Sequence, residues 1–242
     1  YWASEAETKT KSKPKFRIIE LGLNKLIGLV YLTDELLQDV VALESFVTQG
    51  FVEEFGFLMD DSLVNGNGVG MPLGILNANT LVSVIKETGQ AGTIVAENIE
   101  KMYSRIFSAS IGNAKWFINQ DCWPLFQLHH AVGTGGVPMF IPAGGINQTP
   151  FGTLLGRPIQ PIEQCQTLGT KGDIFLADFS KYITADKGSM KSASSIHVRF
   201  INDELVMRFT MRFDGQPVRD TALTPFKGSN TQSAFISLNT RS

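Results

Sequence analysis

Apolar and polar residues alternate along residues 16–33 (FRIIELGLNKLIGLVYLT), the period-two pattern of a long strand. Ile18, Leu21, Leu23, Leu26 and Val30 are its expected buried positions. The period changes at Thr33-Asp34. From there Leu36, Leu37, Val40, Val41, Leu43, Phe46, Val47, Phe51, Phe55 and Leu58 recur at helical spacing. Thr33 suits the N-cap, and Asp34 and Glu35 suit the positive first turn. The pattern predicts a helix to about Asp60, about 40 Å long at 1.5 Å per residue. Gly50 and Gly56 weaken it locally.

Residues 65–74 (NGNGVGMPLG) form a turn-rich loop, and residues 75–92 read as short strands and loops. A second amphipathic helix follows Thr93, with Ile99, Met102, Tyr103, Ile106 and Phe107 on one face and Gly112-Asn113 as its stop. Lys115–Asn119 reads as a strand and residues 121–128 as a short helix. Residues 129–149, with five glycines and two prolines, have no periodicity; a loop of that length is usually functional or disordered. Residues 151–162 and 173–178 supply short buried strands. In the final third Leu205, Met207, Phe209, Met211 and Phe213 point one way, and Val206, Arg208, Thr210 and Arg212 the other. Asn202-Asp203 and Asp214-Gly215 are turn signals between hairpin strands.

Charge adds a second pattern. Residues 26–85 contain no Lys, Arg or His, yet hold eight acids: Asp34, Glu35, Asp39, Glu44, Glu53, Glu54, Asp60 and Asp61. Residues 1–25 carry Lys9, Lys11, Lys13, Lys15, Arg17 and Lys25 against three acids. The whole chain of 242 residues has a net charge of −2. Charge separated this way suits a surface that meets its complement on another copy. Charged residues make up 18% of the chain, below the roughly 25% of soluble domains. Either partners cover much of the surface or the chain is loop-rich. No apolar run reaches a membrane span of about 18 residues, and no signal peptide is visible. The start at Tyr1-Trp2, without Met, reads as a fragment, a processed product or an ordered part of something longer.

Candidate chemistry is sparse. The loop at 65–74 is rich in glycine, but a dinucleotide fingerprint follows a strand and opens a helix, and here the order is reversed. No Lys-Ser/Thr pair completes a phosphate loop. His129 and His130 adjoin a loop without acids or cysteines, short of the three or four ligands a metal needs. Cys122 and Cys165 stand in no motif spacing and read as small half-buried residues. No nucleophile elbow occurs. No catalytic residue, cofactor or metal is expected. Lys9, Lys11, Lys13 and Lys15 alternate, so an extended backbone puts all four on one side, suited to an acidic surface. The alternative is a solvated hairpin tip. Each exposed pair contributes only about 0–1 kcal/mol, so the sum sets geometry and assembly rate.

An ordered series of segments resembles the tailed-bacteriophage major capsid protein family, which has the Hong Kong 97-type fold. The segments are Trp2-Ala3-Ser4-Glu5 before the Lys-rich stretch, Leu32–Asp39 opening the long helix, and Asn65–Gly68 running to Met71–Leu76. Leu155–Ile159, Asp173–Ser180 with Tyr182, and Met211–Gly215 continue the series. The similarity covers nearly the whole chain.

The resemblance implies an α+β shell subunit. Residues 1–17 would be an extended loop lying over an adjacent subunit. Residues 18–109 would be the peripheral domain, with a spine helix over about 33–60 and a second helix over about 94–109. Residues 110–184 would be the axial domain, and 185–242 the return to the peripheral domain. Lys9, Lys11, Lys13, Lys15, Glu44, Glu53, Glu54, His129 and His130 are the expected inter-subunit contacts. Hexamers and pentamers would enclose double-stranded DNA in the virion after assembly in the host cytoplasm. Scaffold, maturation protease, portal and decoration proteins are further expected partners, with no membrane. Some family members weld their shells through a loop Lys and a neighbour's Asn assisted by Glu. Residues 205–213 offer neither Asn nor Glu, so no cross-link is expected. Rival readings are an encapsulin-type nanocompartment shell, a nucleotide-binding enzyme using residues 65–74, and a DNA-binding module.

Overall fold

Side-chain alternation in the strand β1 (Asn24–Thr33) sends Leu26, Val30 and Leu32 inward and leaves Ile27, Leu29 and Tyr31 about half exposed on the other side. The computed structural model describes residues 17–33, 35, 43–122, 129–130, 137–138 and 152–241. Ile18 was expected inside but is 84% exposed, because it precedes the paired part of the strand.

The helix α1 (Leu43–Asn65) continues five residues past the expected end. Of the expected earlier part of the helix, residues 34 and 36–42 lie outside the described residues, and Thr33 ends β1. Leu43, Val47, Phe51 and Phe55 recur every four residues and pack on Met207, Phe209 and Leu32. Gly50 and Gly56 have open space around them, so neither marks a close contact. Phe46 and Leu58, expected on the buried face, are exposed. Phe46 falls on the opposite side of the helix from Phe51 and Phe55.

The sheet under α1 is built from β1, β9 (Tyr182–Asp186), β10 (Lys191–Arg199) and β11 (Glu204–Pro217). β11 is central, with β1 antiparallel on one side and β9 and β10 antiparallel to it on the other. The turn at Asn202-Asp203 forms as expected, with Asp203 left-handed (φ 52°). Asp214-Gly215 does not turn. Gly215 pairs with Thr184 inside β11, and a Cβ there would lie 2.6 Å from the Tyr182 ring. This glycine admits a neighbour rather than reversing the chain.

The second sheet runs in the order β2 (Val82–Val84), β12 (Phe235–Leu238), β8 (Ile174–Ala177), β3 (Lys115–Ile118), β7 (Arg157–Pro161), β6 (Thr153–Leu154). β8 and β12 are uninterrupted apolar-rich runs, buried at every position, as strands covered on both faces must be. Ile99 and Met102 of α2 (Ala96–Ser104) cover one face; Val64, Ile75 and Leu76 cover the other. α2 ends well before the expected Gly112. Ile106 instead forms a parallel bridge to Ser233, and the Phe107 N–H donates to Ser233 O at 2.9 Å. Of the aperiodic 129–149 stretch, β4 (His129–His130) and β5 (Val137–Pro138) form an antiparallel rung. The expected short helix at 121–128 lies mostly outside the described residues.

Candidate assembly surfaces

The layer of α1 on its sheet has two outward faces of opposite chemistry. On the helix side, Phe46, Gln49, Glu53, Phe57 and Asp60 recur at three- and four-residue steps, and all are exposed. Phe46 is 76% and Phe57 42% accessible. Glu44 and Glu54 are exposed beside this stripe. Glu53 accepts a hydrogen bond from Gln49 Nε2 at 3.0 Å, a contact within the helix that leaves the carboxylate outward. The stripe is acidic and apolar at once.

The sheet side is basic and apolar. Lys25, Ile27, Leu29 and Tyr31 of β1 stand opposite Arg212, Thr210, Arg208 and Val206 of β11. Lys191, Ala193 and Ser195 of β10 continue the rungs from Thr210, Arg208 and Val206. Register partners share a face, so the apolar residues of β1 form one column and the cations of β11 and its neighbours another. The Arg199 guanidinium lies 4.7 Å from the centre of the Tyr31 ring and pairs with Glu204 at 3.5 Å.

The glycine loop is turned inward on itself. The N–H groups of Gly66, Gly68 and Gly74 donate to Ser62 O, Pro72 O and Gly66 O. The Leu73 N–H donates to Gly215 O, and the Tyr182 hydroxyl donates to Leu73 O. Those three glycine N–H groups are already satisfied by backbone carbonyls and are not free to bind a phosphate. It fastens the end of α1 to the first sheet. Its signal in the sequence, glycine after a long helix, was structural.

Cys122 and Cys165 are buried and unpaired with each other. Burial pushes the Cys122 thiol up to about 11, with the Asp173 charge adding to the shift. Burial raises Cys165 as well. Both are poor nucleophiles at neutral pH. Among the described residues no group of His, Cys, Asp and Glu is arranged to hold a metal, and no helix is long and apolar enough to cross a membrane.

The sequence matches the phage capsid family over residues 1–228. The chain belongs to the phage capsid family. No curated protein matches it. Among solved structures, it resembles the capsid of an empty GTA particle, with a TM-score of 0.76 at 17% identity, covering 100% of this chain and 80% of that one. It also resembles a chain of Gordonia phage Cozz, with a TM-score of 0.68 at 11% identity over 100% of this chain and 78% of that one. The SrpI encapsulin of Synechococcus elongatus is more distant, with a TM-score of 0.58 at 11% identity over 90% of this chain and 73% of that one. These likenesses establish the α+β, Hong Kong 97-type capsid fold.

For a capsid-family chain, the surfaces above are candidates for contact between copies. Lys9, Lys11, Lys13 and Lys15 lie outside the described residues. Glu44, Glu53 and Glu54 stand exposed on α1. His129 and His130 form β4, opposite Pro138 and Val137. The basic column was not singled out by sequence reading, because Lys25, Lys187, Lys191, Arg208 and Arg212 meet only once β1, β9, β10 and β11 are paired. The alternation of Arg208 and Arg212 was its one legible trace.

Proposed function

We propose that this chain is the major capsid protein of a tailed bacteriophage or prophage, assembling as hexamers and pentamers into an icosahedral shell around double-stranded DNA. Membership of the phage capsid family across residues 1–228 carries the shell role. The shell's work is mechanical, through burial of complementary surfaces around symmetry axes.

The lysine segment of one copy lies on the acidic stripe of α1 in another. The opposite face of the same layer repels it, because that face already carries Lys25, Lys187, Lys191, Arg208 and Arg212. The helix face, with Glu44, Glu53, Glu54 and Asp60, attracts it. Residues 205–213 hold neither Asn nor Glu, so the shell is held without a Lys–Asn weld.

Expression of the full gene product followed by negative-stain microscopy and nuclease treatment tests the reading. Closed particles of uniform size that protect duplex DNA are the expected result. Particles that enclose a protein cargo and no DNA would favour the encapsulin-type alternative, which shares the fold.

A further inference from the structure

The sheet face opposite α1 carries more positive charge than the described residues balance. Lys25, Lys187, Ser189, Lys191, Thr210, Met211 and Arg212 line a cavity of about 330 Å³ where the chain leaves the sheet between β9 and β10. No carboxylate is among them. Lys187 is held there by its backbone N–H, which donates to Arg212 O at 3.1 Å. Arg208 extends the column one rung further, opposite Leu29. Among the described residues none of these five cations forms an ion pair. The nearest carboxylate on this face of β11 is Asp214, two residues past Arg212; Glu204, at the other end, is paired with Arg199.

Like charges on adjacent strands repel, and an anionic partner would relieve that cost. The apolar column decides which kind of anion. Ile27, Leu29 and Tyr31 are 50%, 53% and 47% exposed beside the cations. Nucleic-acid phosphates gain nothing from an aliphatic column that they leave wet. Two columns on adjacent strands, one apolar and one basic, are about 5 Å apart. A helix about 10 Å across covers both, placing apolar residues over β1 and carboxylates over β11.

We infer that this face docks an acidic amphipathic helix belonging to a different polypeptide. The inference rests on the shell reading in one respect. The chain's own acidic helix α1 packs on the opposite side of the sheet and cannot reach this face; in a shell whose copies lie side by side with their sheets along its surface, another copy's α1 does not reach it either. The occupant therefore comes from a second kind of protein, approaching the shell from the sheet side.

Binding to the purified full chain is measured by fluorescence anisotropy with three probes at low salt. These are an 18-residue Leu/Glu peptide patterned as an amphipathic helix, a scrambled peptide of the same composition, and a 20-base-pair DNA duplex. The patterned peptide should bind at least tenfold more tightly than the scrambled one and more tightly than the duplex. Lys187→Glu/Lys191→Glu should weaken it at least tenfold, and Leu29→Ser should remove most of its advantage over the scramble. Lys181→Glu/Lys227→Glu, an equal charge change at exposed positions outside the cavity, should leave it within twofold. Equal binding of patterned and scrambled peptides, tighter binding of DNA, or equal loss in the control variant would each overturn the inference. Shell formation, followed separately by microscopy, reports on the family role and is unaffected by these outcomes.

Discussion

The ring of Phe51 occupies the space that a side chain at Gly28 would fill. A Cβ at Gly28 would lie 2.3 Å from Phe51 Cε1. The same ring stacks on Phe209 at 4.4 Å and meets Phe55 edge-on at 6.0 Å. One glycine in β1 thus lets the long helix seat on the sheet, and it sets the spacing of the layer whose two faces carry the proposed contact surfaces.

Gly28→Ala should destabilise the chain by about 1–3 kcal/mol through overpacking. Phe51→Ala should cost about 3 kcal/mol, the low end for a Phe that is only partly buried. The double variant should cost less than the two together, because removing the ring removes the clash. Urea unfolding of the three variants checks this; strict additivity would mean that the two residues do not meet.

Arg241 and Asp173 form a fully buried ion pair. The Asp173 carboxylate also accepts from the N–H groups of Ile174 and Gly169, at 2.8 and 3.0 Å. Removing one partner leaves a buried charge with less compensation. Arg241→Met should therefore cost about 3–5 kcal/mol, while Arg241→Met/Asp173→Leu should recover a large part of the loss. Thermal unfolding monitored by circular dichroism reads both.

Alkaline pH should weaken the fold before it affects any chemistry. Burial raises the Cys122 thiol from 9.0 to about 11, so between those values the unfolded chain loses a proton that the native chain keeps. Stability is fully present below pH 9 and falls as pH rises towards 11. Burial also raises Cys165 and Tyr182, which act in the same direction, Cys165 from the same pH of about 9 and Tyr182 from about pH 10. The Cys122 share is on the order of 2 kcal/mol. Urea midpoints at pH 8 and 10.5 should differ, and Cys122→Ala should reduce the difference. A flat profile would contradict the burial argument.

The glycine loop should be intolerant of side chains and indifferent to nucleotides. A Cβ at Gly74 would lie 2.5 Å from Gly66 N, and one at Gly66 would lie 2.2 Å from Pro72 O. Both neighbours are backbone and cannot rotate away. Gly74→Ala should cost more than about 2 kcal/mol. Calorimetry with ATP or NAD should show no heat of binding; a saturable isotherm would revive the enzyme reading.

Much of the fold was legible because single elements have strong periods. The inward residues of β11 and the Val47, Phe51, Phe55 face of α1 follow from spacing alone. Pattern reading failed where an apolar residue was assumed to face its own core. Phe46 faces outward, and Ile18 lies beyond the paired strand. Asp214-Gly215 failed for another reason: glycine there serves the Tyr182 ring, and one-dimensional pattern does not separate a turn from a close approach. The end of α2 depended on Ser233, over a hundred residues away. Of the candidate sites, the acids of α1 were visible as a charge run. The basic sheet face required four strands to pair before it existed.

The central claim, that the lysine segment of one copy rests on the acidic helix of the next, is tested most directly by a charge swap followed by particle counts in the electron microscope at low salt. Lys9→Glu/Lys11→Glu/Lys13→Glu/Lys15→Glu should abolish or strongly reduce closed particles. Adding Glu44→Lys/Glu53→Lys/Glu54→Lys to the same chain should restore them. Normal particle yield from the reversed-lysine chain alone would contradict the account.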